Sequence, residues 1–266
     1  MLLSSLRSSI ASSAARANRI YLIMRKFLIR FCYDGHSFHG WQIQKDALTI
    51  QQVMENVLAQ IFKTKTPLTV SGRTDAGVHA LNQYAHFSAE TRMEPKNIIA
   101  AINSIISIAI YIKECTVVDD DFHARFSAKR RMYMYKIVKE FSPFERFYAS
   151  YFPQKKISLP LLRKASEYLL GTHDFNVFAQ DTSQLPSTLC KVDRAEWSEI
   201  NTHFIFKIRA NRFMHNMVRR IVGTLLHISN EELETDYISK ILSTQDYSLL
   251  GMTAPPQGLY LFEVTY

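Results

Sequence analysis

Cysteine is scarce in this chain of 266 residues. Cys32, Cys115 and Cys190 stand far apart, and none belongs to a C-x-x-C pair. That excludes a disulfide framework and a thiolate zinc site, and it fits a reducing compartment. Long apolar runs are missing as well; none approaches the roughly 20 residues that span a bilayer. Acidic residues are absent from the start of the chain, the first being Asp34. Met1 to Ile23 instead carries Arg7, Arg16 and Arg19 among many Ser and Ala, a composition that resembles an organelle transit peptide. Met24 directly precedes the first clear strand. Residues 1–24 are therefore read as an extension, disordered or an over-extended start, and are left out of the fold argument. On that reading the protein is expected in the cytoplasm; a true transit peptide would send it to an organelle.

What is present fits a soluble globular chain, with 47% hydrophobic and 21% charged residues. The length allows one large domain or two small packed ones. The net charge of +8 favours a polyanionic partner, because Lys and Arg that neutralise phosphates release counterions. No long basic run and no low-complexity linker accompany that charge.

Phe27, Ile29, Phe31 and Tyr33 alternate with other residues and predict a strand. Thr49 and Gln52 form a capping-box pattern ahead of Ile50, Val53, Met54, Val57, Leu58 and Ile61 at helical spacing. Leu68 to Ser71 reads as a short strand, and Gln83 to Phe87 as the next. Pro95 suits a first helical turn before Ile98, Ile99, Ile102 and Ile105. Ile108 to Lys113 is extended. The order then repeats. Arg131 to Val138 is a strand. Ser158 is expected to cap a helix that Gly171 stops. Val192 to Ile200 and Phe204 to Arg209 pair around Asn201 and Thr202. A helix is read from Phe213 to Leu225, another carries Leu233 to Leu242, and Leu259 to Val264 closes the chain. Each half thus reads β-α-β-β-α-β, an α+β fold of two ferredoxin-like units, 25–120 and 121–266. Their sheets are expected either edge to edge or packed together around a central cleft, with Asp119 to Ala128 as the crossover. An RNA recognition module shares that order, but Gln83-Tyr84-Ala85-His86-Phe87 is no RNP1 octamer. Enzyme and binding module both stay open on fold alone.

The segment Ser71-Gly72-Arg73-Thr74-Asp75-Ala76-Gly77-Val78-His79-Ala80 concentrates chemistry. Small residues let a ligand approach the backbone. A carboxylate, with a reference pKa of about 3.9, is ionised at neutral pH and attacks without a general base. Asp75 is therefore a candidate nucleophile; alternatively it only caps its own backbone in an Asx turn. His79 lies four residues on and is expected to stabilise the loop rather than form a dyad. His36 and His39 give H-x-x-H, but Gly35 and Gly40 argue for a loop, and no metal site is expected. Lys129, Arg130 and Arg131 form a short basic cluster expected to bind phosphate.

The loop resembles the G-R-T-D-A-G-V-H-A signature of TruA-type pseudouridine synthases. Other segments match in order: Tyr33-Asp34-Gly35, Phe38-His39-Gly40-Trp41-Gln42, Thr49-Ile50-Gln51, Phe122-His123-Ala124-Arg125-Phe126-Ser127-Ala128, Tyr133-Met134-Tyr135, Gly171-Thr172-His173-Asp174-Phe175, Asn211 to Arg219, Ile221-Val222-Gly223 and Thr253-Ala254-Pro255-Pro256. Asn82 departs from the pattern, since a glycine is common there, and Met214 replaces a leucine.

The resemblance implies roles. Asp75 is similar to the nucleophilic aspartate and Tyr133 to the tyrosine that packs on the target base. Arg219 is similar to the arginine that pairs with the aspartate, and Arg73 to a contact for the flipped nucleotide or its phosphate. Phe122, His123, Ala124, Arg125 and Phe126 resemble an RNA-contacting segment. The implied reaction isomerises uridine to pseudouridine at positions 38 to 40 of the tRNA anticodon arm, without cofactor or metal, in a homodimer with no membrane association. A non-catalytic RNA-binding protein and a uracil-releasing hydrolase are the rival readings.

Overall fold

Strand β1 (Met24–Tyr33) buries Phe27, Ile29, Phe31 and Tyr33 on one face, as their alternation requires. The computed structural model describes residues 23–153 and 156–266. Met24 pairs with Glu90, so β1 starts one residue inside the range assigned to the extension. The rest of that extension, and the transit-peptide reading of it, lie outside the described residues apart from Ile23.

Helix α1 (Ile50–Phe62) follows Thr49, whose hydroxyl accepts the Gln52 backbone N–H at 3.4 Å, the expected cap. It buries Ile50, Met54, Val57 and Leu58. Strand β2 (Thr69–Val70) is short, whereas β3 (His79–Glu90) is longer than the sequence pattern showed, because its first residues pair across the molecule. Helix α2 (Pro95–Ile105) begins on its proline, and β4 (Ile110–Val118) follows.

The second half holds β5 (Arg130–Val138), α3 (Leu159–Glu167), β6 (Gly171–Asp174), β7 (Leu189–Ile200) and β8 (His203–Ala210). Helices α4 (Met217–Asn230) and α5 (Tyr237–Thr244) and strand β9 (Leu259–Thr265) complete it. Three expectations need correction here. Ser158 precedes α3 but makes no side-chain cap; its own N–H donates to the Ser229 hydroxyl at 2.7 Å. Gly171 opens β6 instead of stopping α3, which ends four residues earlier. Phe213 lies ahead of α4 and outside it.

All nine strands form one sheet in the order β4-β1-β3-β9-β5-β8-β7-β6, with β2 also on β3. The edge-to-edge alternative is the one observed. Within each half, and leaving β6 aside, the strands lie in the order fourth, first, third, second. The seam is parallel and only two residue pairs long, His79–Tyr260 and Ala80–Leu261. β2 and β9 leave the same edge of β3 at different heights, so the loop between β2 and β3 emerges beside the seam.

Two bulges flank that seam. β5 skips Phe262 of β9 between Met132 and Tyr133, and β1 shifts register on β3 between Phe31 and Tyr33. Asn82 bridges them: its amide donates to the Phe262 carbonyl at 2.9 Å and its oxygen accepts Arg30 at 2.7 Å. The side chain that departs from the family pattern therefore fastens the seam. Bulges re-aim neighbouring side chains, and this one sits directly before Tyr133.

Candidate active site

The loop from Ser71 to Val78 is fixed from below. Gln83 is fully buried; its oxygen accepts the Ser71 hydroxyl at 2.7 Å and its amide donates to the Gly72 carbonyl at 2.9 Å. Tyr33 hydroxyl meets Thr74 hydroxyl at 2.7 Å, and burial pushes that phenol up to about 12. Trp41 N–H donates to the Thr74 carbonyl at 3.0 Å. Gly40 makes this approach feasible: its φ is +86°, and a Cβ there would lie 2.8 Å from the Thr74 carbonyl oxygen.

His79 closes the loop as a brace, as expected. Its Nδ1 accepts the Gly35 N–H at 3.1 Å and its Nε2 donates to the Phe147 carbonyl at 2.9 Å. Asp34 Oδ1 also lies 3.1 Å from Nδ1 and would make an ion pair with a protonated ring. Burial pushes the His79 pKa down, which favours the neutral ring and the Gly35 hydrogen bond.

Asp75 does not form the Asx turn. Its backbone carbonyl accepts the Val78 N–H, while its carboxylate points to the other half of the molecule and is 24% exposed. Arg219 Nη1 donates to Oδ2 at 3.3 Å, and His215 Nε2 lies 3.5 Å from Oδ1. The two-pronged pairing that a guanidinium allows is not used. Arg219 Nε is engaged by the Ala254 carbonyl at 2.7 Å, and Nη1 is shared with Asn216 at 2.8 Å. Arg219 is thus aimed by its own surroundings and touches Asp75 with one amino group.

Its rigidity comes from α4. Ile221, Val222, Leu225, Leu226 and Ile228 are fully buried, each worth about 1.5–3 kcal/mol over exposure. Gly223 lets this helix approach the 252–254 loop, where a Cβ would fall 1.6 Å from the Met252 carbonyl oxygen.

Tyr133 is 8% exposed and lies on β5 beside the seam. It stands in one cross-strand row with Ile208, Leu261 and, across the seam, Ala80. Its ring meets Phe213 edge-on at 5.1 Å. Burial, with the Tyr33 phenol and the Asp75 charge adding, pushes its pKa well above the usual range for a phenol.

Arg73 is exposed and makes no side-chain hydrogen bond or ion pair among the described residues, so it does not brace the loop. Phe122 to Phe126 forms a turn beside β9: Tyr266 hydroxyl donates to the Ala124 carbonyl at 2.9 Å, and Ala124 N–H donates to His86 at 3.1 Å. His123 stacks on Phe126 at 4.3 Å, leaving Phe126 77% exposed with Arg125 over its ring.

The basic cluster needs correction. Arg130 pairs with Asp193 at 2.7 Å and Arg131 is spent on backbone carbonyls, so of the three only Lys129 has no side-chain hydrogen bond or ion pair among the described residues. His215 is not singled out from sequence; it lies in the turn before α4, four positions ahead of Arg219. Two concavities of about 410 Å³ each are lined by Val117 to Ser127 and by Glu167 to Ser243 residues. Neither includes Asp75, and the chemistry of the residues, not the depth of a hollow, locates the site.

Asp75, Tyr133 and Arg219 come from a loop, a strand and a helix of two halves, yet they converge at the seam. The profile of the family described as tRNA pseudouridine synthase matches residues 31–127 and 165–266. The chain belongs to that family and is a pseudouridine synthase, an isomerase. Asp75 and Arg219 fall in the two matched stretches, and Tyr133 lies between them.

Among its relatives is the tRNA pseudouridine synthase A of Limosilactobacillus reuteri (strain DSM 20016), 40% identical over 250 residues, covering 91% of this chain and 97% of that one. That of Thermoanaerobacter sp. (strain X514) is also 40% identical over 250 residues, covering 91% and 100%. That of Bacillus licheniformis is 37% identical over 238 residues, covering 88% and 96%. No helix among the described residues is long and apolar enough to cross a membrane.

Proposed function

We propose that this protein converts uridine to pseudouridine at positions 38 to 40 of the tRNA anticodon arm, with Asp75 as the nucleophile. The observation that carries the reading is the single, long contact between Asp75 and an Arg219 that is independently anchored. A carboxylate meant only for structure would be saturated by its partners. Here it keeps acceptor capacity facing the surface, beside a buried aromatic floor.

The reaction breaks the C1′–N1 bond, turns the uracil, and rejoins it through C5. The proton leaving C5 is balanced by the one gained at N1. The base must leave its stack, and unstacking costs a few kcal/mol. Tyr133 supplies a replacement surface, worth about 1–3 kcal/mol per stacked base. Asp75 bonds to C1′ of the ribose or to C6 of the uracil, and either adduct resolves to the same product. Arg219 holds the carboxylate by a charge-assisted hydrogen bond. Arg73, and Phe122 to Phe126 with Arg125, contact the nucleotide and its flanking phosphates.

The unit acting on tRNA is a homodimer of chains, each divided into the halves 25–120 and 121–266, and it works in the cytoplasm without a cofactor. The reading is tested by incubating unmodified tRNA with the purified protein and mapping pseudouridine nucleotide by nucleotide. Modification at 38 to 40 is expected. Free uracil in the medium would mean hydrolysis, and tRNA that is bound but unchanged would mean a binding protein.

A further inference from the structure

Arg131 is a half-buried cation with no carboxylate partner among the described residues, which is costly unless its N–H groups are otherwise satisfied. Its satisfaction is unusual in kind. Nη1 donates to the Ala128 carbonyl at 2.9 Å and to the Asn211 carbonyl at 3.0 Å. Nη2 donates to the Ser71 carbonyl at 2.9 Å and to the Arg125 carbonyl at 2.5 Å. Four protons thus reach four carbonyls on three separate segments.

Each of those segments leads to a different part of the site. Ser71 begins the loop that carries Asp75. Arg125 and Ala128 lie in the turn that presents Phe126 to solvent. Asn211 begins the stretch that runs through His215 to Arg219. Arg131 itself stands two residues before Tyr133 on β5, directly ahead of the bulge at Phe262.

We propose that Arg131 is a positioning residue, a planar clamp that sets the spacing between the Asp75 loop, the 122–128 turn and the Arg219 segment. It acts through backbone and does not touch the substrate. The proposal rests on the reading of Asp75 and Arg219 as the reacting pair.

The geometry suits arginine alone. A guanidinium presents its donors in a fixed plane, whereas a lysine ammonium is a point with three donors and cannot span four carbonyls. Burial, and the charges of Arg125 and Arg212, push the Arg131 pKa down, yet a guanidinium stays charged at neutral pH. Arg125 and Arg212 keep their own guanidinium groups free of hydrogen bonds to described side chains or backbone, so they, and not Arg131, are placed to meet phosphate.

The test compares full-length Arg131→Lys, Arg131→Ala, Arg125→Ala and Asp75→Ala with wild type, using unmodified tRNA in single turnover. Arg131→Lys is expected to lower the rate at saturating enzyme by about 10²-fold, since a misplacement near 1 Å costs that much. Its Kd for tRNA should stay within about threefold of wild type, with an unchanged salt slope. Millimolar guanidinium ion should restore Arg131→Ala by about tenfold, and methylammonium should not, because only the planar fork reaches all the carbonyls. Arg125→Ala should show the opposite split, a weaker Kd and a shallower salt slope.

If Arg131→Ala fails to fold, the Lys variant decides. A Lys variant with wild-type rate, or one whose whole loss lies in Kd and salt slope, overturns the clamp. Should Asp75→Ala modify tRNA normally, the reading of the site falls. Should Asp75→Ala be inactive while Arg131→Lys is normal, only the clamp falls.

Discussion

Asp193 and Asp75 both face arginines, and they are treated in opposite ways. Asp193 is the residue skipped by a bulge in β7, and it is held by Arg130 at 2.7 Å and Arg209 at 2.6 Å, one arginine on each oxygen. Partial burial pushes its carboxyl up, but the hydrogen bonds and charges of Arg209 and Arg130 outweigh this and hold it below the usual range. Asp75 has one arginine at 3.3 Å and a histidine at 3.5 Å. The first pair is closed and ties strands β5, β7 and β8 together. The second is slack, and on the proposed reading it is the one that reacts. Contact distance and the number of guanidinium partners separate the two: short contacts to two arginines for Asp193, one long contact to an arginine for Asp75.

Arg219→Ala should break the slack pair most visibly. Without the charge that steadies Asp75, the single-turnover rate is expected to fall by about 10²–10³-fold. A near-wild-type rate at saturating tRNA would mean the pair is not part of the reaction. Arg73→Ala removes a cation that braces nothing, so stability should hold within about 0.5 kcal/mol. Binding should weaken by roughly three- to tenfold, with the salt slope shallower by about one. An equal loss at every salt concentration would argue against a phosphate contact.

Asp193→Asn tests the closed pair. Urea unfolding should show a loss of about 1 kcal/mol, because the pair is partly exposed and screened. The modification rate should not change. The sign with pH follows from the lowered carboxyl: its contribution is present above the ordinary value of 3.8 and is lost as pH falls below it. Asp193→Asn should therefore lose less stability than wild type on acidification below that point.

The smallest effect concerns the 122–128 turn. Burial, with the charges of His123 and Lys26, lowers the His86 pKa from its ordinary 6.5 to about 4. Between those values the unfolded chain takes a proton that the folded one refuses, so stability falls as pH drops from about 6.5 to about 4. His86→Gln should flatten that slope by a few tenths of a kcal/mol, given solvent screening. A slope unchanged by the substitution would place the proton uptake elsewhere.

Local features were legible in the sequence and distant partnerships were not. Thr49 capping α1, the alternation of β1 and the proline opening α2 each depend on neighbours within a few residues. The Ser158 hydroxyl makes no cap, and the residue is held instead through its own N–H, which donates to Ser229 of α4, 71 positions away. Residues 171–174 have little strand pattern and become β6 only by pairing with β7. Arg130 and Arg131 looked like a phosphate patch because Asp193, Ser71 and Asn211 are far off in sequence. The convergence of Asp75 with Arg219 was read through resemblance, since 144 positions separate them and no spacing rule spans that distance. Asn82 likewise acts through distant partners, Arg30 and Phe262.

The most direct measurement follows pseudouridine at positions 38 to 40 in unmodified tRNA with wild-type protein and with Asp75→Ala, alongside the Kd of each for the same tRNA. The account expects tRNA to be bound about equally by both and no pseudouridine to form with Asp75→Ala. Pseudouridine appearing with that variant at the wild-type rate would contradict it.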